Sequence, residues 1–97
     1  MTGTQTGLFD EDSGTKFFKF HESNPFVYQI FCKRTIQMIQ AGRRHYSARA
    51  IIEVVRWDID VQTSAEEFKI NNNHIPFYAR MFMTAYPEHD GFFRTRK

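Results

Sequence analysis

Arg43, Arg44 and Arg49 fall within one short run, Gly42-Arg43-Arg44-His45-Tyr46-Ser47-Ala48-Arg49, that reads as the end of one helix and the start of the next. A helix N-terminus presents free N–H groups and the positive end of the peptide dipole, so it favours anions. Guanidiniums around it add charge-assisted, fork-shaped donors that match phosphate. The run is therefore the best anion-contact candidate in the chain, and nucleic-acid phosphate is the polyanion it suits. The surroundings are basic as well. Between Lys33 and Arg56 lie six basic residues against the single acid Glu53, and the tail contributes Arg94, Arg96 and Lys97. The net charge of only +2 does not argue nucleic-acid binding by itself, because Asp10, Glu11 and Asp12 balance part of this charge near the N-terminus. A solvated basic face that maintains solubility accounts for the arginines equally well.

Residue patterns for catalysis are missing. His21, His45, His74 and His89 are scattered without the paired spacing of a zinc site, so no metal is expected. Cys32 is the only cysteine, which excludes an intramolecular disulfide and fits a reducing, cytoplasmic setting. It lies among apolar residues with no activating neighbour and reads as a structural thiol. The glycines are isolated, so there is no phosphate-cradling loop, and no cofactor is expected. Asp58/Asp60 and Glu66/Glu67 are the carboxylate pairs. On a strand, Asp58 and Asp60 would share one face, as a divalent-metal nuclease or hydrolase requires. The solvent face of an amphipathic hairpin explains them more simply. The chain is thus expected to have no catalytic residues and not to be an enzyme. No apolar run approaches the roughly 18 residues of a membrane span, and no secretory leader pattern is present.

The elements that must position these groups follow from periodicity. Residues 1–15, rich in Gly, Thr, Ser, Asp and Glu, read as a flexible N-terminal arm, and residues 16–97 as a single globular domain. Lys16-Phe17-Phe18-Lys19-Phe20 is an aromatic strand or docking segment. The first helix starts at Asn24-Pro25, a favoured cap followed by proline in the first helical position, and stops at Gly42. The second starts at the Ser47 cap, with Tyr46 and Ile51 at the spacing of a hydrophobic staple, and ends near Trp57; Arg49 and Glu53 are spaced to pair along it. Ile59 and Val61 then alternate with Asp58, Asp60 and Gln62, and Phe68 and Ile70 with Glu67 and Lys69. This predicts a β-hairpin turning at Thr63–Glu66. Asn71-Asn72-Asn73 supplies turn and cap chemistry for a third helix that Pro87 stops, and Phe92–Arg96 is a last extended piece that would add to the hairpin. Eleven phenylalanines in 97 residues provide most of the apolar volume.

The expected architecture is therefore α+β: three helices and a small antiparallel sheet, in an atypical winged-helix-like arrangement with a disordered arm. About fifteen residues part the second and third helices, far more than the tight turn of a helix-turn-helix. In that framework the third helix would read duplex DNA with Asn73, His74, Phe77, Arg80 and Thr84, while Arg43, Arg44, Arg49, Arg94, Arg96 and Lys97 clamp phosphates. The rival expectation is a protein that binds and inhibits or redirects a host protein, through the acidic arm and exposed aromatics among Phe17, Phe18, Phe92 and Phe93.

The pattern Phe17-x-x-Phe20-His21-x-x-Asn24-Pro25-x-Val27-Tyr28, followed by Glu53-x-x-Arg56-Trp57, Asn71-Asn72-Asn73, Tyr78-Ala79-Arg80 and Gly91-Phe92-Phe93-x-x-Arg96, resembles a family of small proteins encoded by bacteriophages and prophages. The resemblance runs from about Lys16 onward. It implies a setting in phage DNA metabolism, gene control or interference with a host system. It also implies that His21, Glu53, Arg56, Asn73 and Arg80 are polar groups placed among apolar surroundings, with a Glu53–Arg56 or Glu53–Arg80 ion pair setting how helices meet.

Overall fold

Apolar residues recur at helical spacing along most of the chain, and helices are what form. A computed structural model describes residues 2–62 and 68–94, with side chains from residue 13 onward. In order, the helices are α1 (Thr2–Ser23), α2 (Pro25–Gln40), α3 (Ala48–Gln62) and α4 (Ile75–Ala85), with 3₁₀ turns at Asn72–His74 and Pro87–His89. The described residues include no strand. The expected α+β class, its sheet and its winged-helix character are therefore replaced by an all-helical arrangement over these residues.

The reason lies in α3. Ile59 and Val61 alternate with polar residues, but Ile59 also continues the stripe Ile51, Ile52, Val55 at helical period, and all four are buried. Helix wins because it buries Ile59 on the stripe already formed, while Val61 stays exposed as no half-buried strand would leave it. The expected hairpin turn, Thr63–Glu66, lies outside the described residues, as does Glu67. Phe68–Ile70 lead into α4 without strand pairing. Phe92 and Phe93 are buried in a loop rather than a strand, Phe93 packing on Phe31 and Phe82 with ring centroids 5.4 and 5.9 Å apart.

The Lys16–Phe20 segment is likewise helical and belongs to α1, whose backbone also takes in residues 2–15, expected as an arm without structure. A helix places Phe17, Phe20 and His21 on one face. Phe17 is buried, stacked on Phe77 at 4.9 Å and edge-on to Tyr78 at 4.9 Å, while Phe18 turns outward. Asn24 differs from a simple N-cap: its amide donates back to the Phe20 carbonyl at 3.0 Å, closing α1, while Pro25 opens α2. Gly42 stops α2 as expected, with φ +97°. Its N–H bonds the Ile39 carbonyl and the Arg43 N–H bonds that of Met38, the paired hydrogen bonds of a Schellman motif. Ser47 caps α3, its Oγ accepting the Ala50 N–H at 3.1 Å.

α4 is the centre of the molecule. Tyr78, Ala79 and Phe82 are fully buried against Val27 and Phe31 of α2, Ile51, Ile52 and Val55 of α3 and Phe17 of α1. Each large apolar side chain so buried contributes roughly 1.5–3 kcal/mol before the entropy of ordering is charged against it. Thr35 is carried into this core because its hydroxyl donates to the Phe31 carbonyl at 2.7 Å.

Candidate nucleic-acid interface

Two contacts with the Gly91–Phe92 backbone decide where the expected phosphate clamp sits. The Tyr46 N–H donates to the Phe92 carbonyl at 3.3 Å, and His45 Nδ1 lies 3.3 Å from the Gly91 carbonyl. The chain doubles back here because Gly91 adopts φ +89°, a conformation open to glycine, and Phe92 and Phe93 anchor the loop in the core. The end of the chain is thereby tied to the α2–α3 linker. Arg94 and Arg49 thereby line the same open cleft of about 630 Å³. Tyr46 and Ala48 at the start of α3 and Ile75, Pro76 and Ala79 at the start of α4 make its walls largely apolar. His45 lines this cleft and also a neighbouring hollow of about 300 Å³ that contains Arg43 and Arg44. In that second hollow the two arginines share the lining with Glu88 and Asp90, so its charge is mixed.

The structure divides the arginines into two kinds. Arg34 forks onto Asp58, Nε to Oδ2 and Nη2 to Oδ1, both at 2.7 Å, and its Nη1 donates to Gln37 at 3.1 Å. Asp58 is buried, and the guanidinium's hydrogen bonds hold its carboxyl below the usual carboxylate range. Arg56 bonds Glu53 at 2.6 Å, the Ile70 carbonyl at 2.6 Å and Asn72 at 2.8 Å, fastening the segment before α4 to α3. Arg43, Arg44, Arg49 and Arg94, by contrast, are exposed, and no ion pair among the described residues engages them. The expected Arg49–Glu53 pair does not form, because Arg56, already oriented by the Ile70 and Asn72 acceptors, takes the Glu53 carboxylate.

The expected reading helix, now α4, is placed differently from its phosphate clamp. His74 is only 6% exposed, edge-on to Phe17 with centroids 5.6 Å apart, and burial lowers its pKa and keeps it neutral. Phe77 is half-buried on Phe17. Asn73, Arg80 and Thr84 are exposed; the Asn73 N–H is held by Asn71 Oδ1 at 2.8 Å, and the Arg80 guanidinium sits 5.2 Å from the Phe77 ring centre. Arg96 and Lys97 lie outside the described residues. Of the aromatics considered for a protein partner, Phe17, Phe92 and Phe93 are core and only Phe18 is exposed.

The carboxylate pair also changes meaning. Residues two apart on a helix point about 200° away from each other, so Asp58 turns inward to Arg34 while Asp60 faces solvent. The strand geometry that would have let them share a metal is not present. Among the described residues no group of three or more His, Cys, Asp and Glu side chains is arranged to hold a metal ion. Cys32 is half-buried, and burial pushes its thiol pKa up. Sequence reasoning did not find the Arg34–Asp58 contact, since the two are far apart in the chain. A helical reading through Asp58, seven residues after Ile51, would have placed a charge on the core face and called for a partner.

Fold and site together describe a small helical protein with a basic, apolar-walled cleft. No helix of the described residues is long and apolar enough to cross a membrane. Comparison with protein-family models, with curated proteins and with solved structures gives no match to this chain.

Proposed function

We propose that this protein binds nucleic acid without catalysing a reaction on it, using Arg43, Arg44, Arg49 and Arg94 as phosphate contacts. The observation that carries the reading is that Arg49 and Arg94, from distant parts of the chain, line one cleft and form no ion pair among the described residues. Arg34 and Arg56, by contrast, are engaged by the Asp58 and Glu53 carboxylates. Unpaired guanidiniums gathered at one end of a small domain are poised for an external polyanion. Arg43 and Arg44 next to them extend the basic surface, and the acids Glu88 and Asp90 beside those two make Arg49 and Arg94 the stronger contacts.

Binding of a fluorescent oligonucleotide duplex, followed by anisotropy, tests this. Each neutralised phosphate adds about −0.9 to the slope of log K against log salt, so four arginines give roughly −3 to −4. Binding at low salt that weakens with this steepness supports the proposal, and absence of binding at low salt refutes it.

A second reading, docking of another protein such as a host factor, rests on a different surface. Val54, Trp57 and Val61 form an exposed apolar line along α3, with Trp57 66% exposed. Nuclease-resistant capture of a stoichiometric partner that Trp57→Ala abolishes would favour it.

A further inference from the structure

We propose that the cleft between the start of α3 and the start of α4 receives an unstacked base of single-stranded nucleic acid, while Arg49 and Arg94 hold the adjoining phosphates. The inference rests on the nucleic-acid reading above and names the form of nucleic acid the site takes.

Three observations lead there. First, the cleft is not a plain phosphate cradle. Its volume, about 630 Å³, lies within the roughly 300–1,000 Å³ range of clefts that enclose small organic ligands. Tyr46, Ala48 and Pro76 offer apolar surface that phosphate alone would not use. A ligand with both a flat apolar body and negative charge satisfies the whole lining, and a nucleotide within a strand is such a ligand. Secondly, Tyr46 and His45 border the same cleft as the two arginines. Aromatic surface beside a basic track is how single strands are held without sequence reading, because every base has a π-face. The α3 N-terminus is not needed for the charge: Ser47 already satisfies the Ala50 N–H, and the guanidiniums carry the attraction.

Thirdly, the fold offers a duplex little to read it with. α4 is the most deeply embedded helix, with Tyr78, Ala79 and Phe82 buried, His74 turned inward and Phe77 packed under Phe17. Asn73, Arg80 and Thr84 remain exposed, and Arg80 is drawn over the Phe77 ring. A duplex keeps its bases stacked inside and can meet only the arginines. A single strand can meet the arginines and also fill the cleft.

The test compares three labelled probes on the whole chain by anisotropy: a single strand, the same strand with abasic sites, and the matching duplex. A base stacked in the cleft adds affinity that an abasic site lacks, so the single strand should bind roughly tenfold tighter than its abasic analogue. Ala48→Trp, which fills the cleft from the first residue of α3, should abolish that difference. Equal affinity for the single strand and its abasic analogue overturns the cleft proposal and leaves the arginine contacts standing. Failure to bind any of the three probes overturns both. Because the abasic comparison uses the unaltered protein, it decides the question even if Ala48→Trp does not fold.

Discussion

The two ends of α3 use arginine in opposite ways. Towards its C-terminal end, Arg34 and Arg56 are engaged by the forked Asp58 carboxylate, Gln37, Glu53, the Ile70 carbonyl and Asn72. At its N-terminal end, Arg49 and Arg94 stand at a cleft and form no ion pair among the described residues, and Arg43 and Arg44 lie close by. The first set is satisfied internally and holds helices together. The second forms no ion pair among the described residues, and a binding partner would relieve its self-repulsion. One residue type thus serves the fold in one place and is left for a ligand in the other, and the decisive variable is whether a carboxylate is brought within reach.

Substitutions that exchange the two behaviours test the contrast. The largest effect is expected for Arg34→Ala, which leaves the buried Asp58 without its counter-charge. Urea unfolding should show a loss of roughly 2–3 kcal/mol, and the apolar double variant Arg34→Leu/Asp58→Leu should recover much of it. The folded protein should bind oligonucleotide as before; a weakened affinity would place Arg34 in the interface and erase the contrast. Next come Arg49→Glu and Arg94→Glu, each expected to weaken oligonucleotide binding by about tenfold, or about 1.4 kcal/mol, with the thermal midpoint unchanged. A fall in the midpoint instead would show that these arginines also support the fold.

Acid titration resolves a smaller effect. Burial lowers the pKa of His74 in the folded protein, so the unfolded chain takes up its proton first. The stability this neutral imidazole represents is complete above the ordinary histidine value of about 6.5 and declines as pH falls below it towards the folded pKa. Asp58 also has a lowered pKa, and its contribution declines only below the ordinary aspartate value of about 3.9. Two separate declines should appear in stability against pH, and His74→Phe should remove the upper one; if that decline persists in His74→Phe, another group is responsible. The smallest effect is expected for Tyr78→Phe. The Tyr78 hydroxyl is buried with no hydrogen-bond partner among the described residues, so removing it should change stability by less than about 0.5 kcal/mol or improve it slightly. A loss above about 1 kcal/mol would reveal a partner for that hydroxyl.

Much of the local punctuation was legible. Asn24-Pro25, Gly42 and Ser47 mark helix ends in the structure because each acts through its own backbone or a neighbour one turn away. The boundary at Trp57 was misplaced for an instructive reason. Asp58-Ile59-Asp60-Val61 fits a two-residue alternation taken alone, and only its continuity with Ile51, Ile52 and Val55 shows the longer period. The same error hid the Arg34–Asp58 pair, since a strand puts Asp58 on a solvent face. Phe92 and Phe93 were equally ambiguous, as two adjacent phenylalanines suit an exposed patch or a buried plug.

The sequence by itself determined where α2 and α3 begin, where α2 ends and which arginines surround the α2–α3 linker. Capping and hydrophobic period are local and depend on residues within a few positions. Tertiary structure alone decided which of the described arginines are engaged by the fold and which form no ion pair among the described residues. That choice depends on distances between residues remote in the chain: Asp58 reaching Arg34, Ile70 and Asn72 orienting Arg56, and the Gly91–Phe93 loop carrying Arg94 to Arg49. No local pattern encodes those meetings, and they follow from how the helices pack around α4.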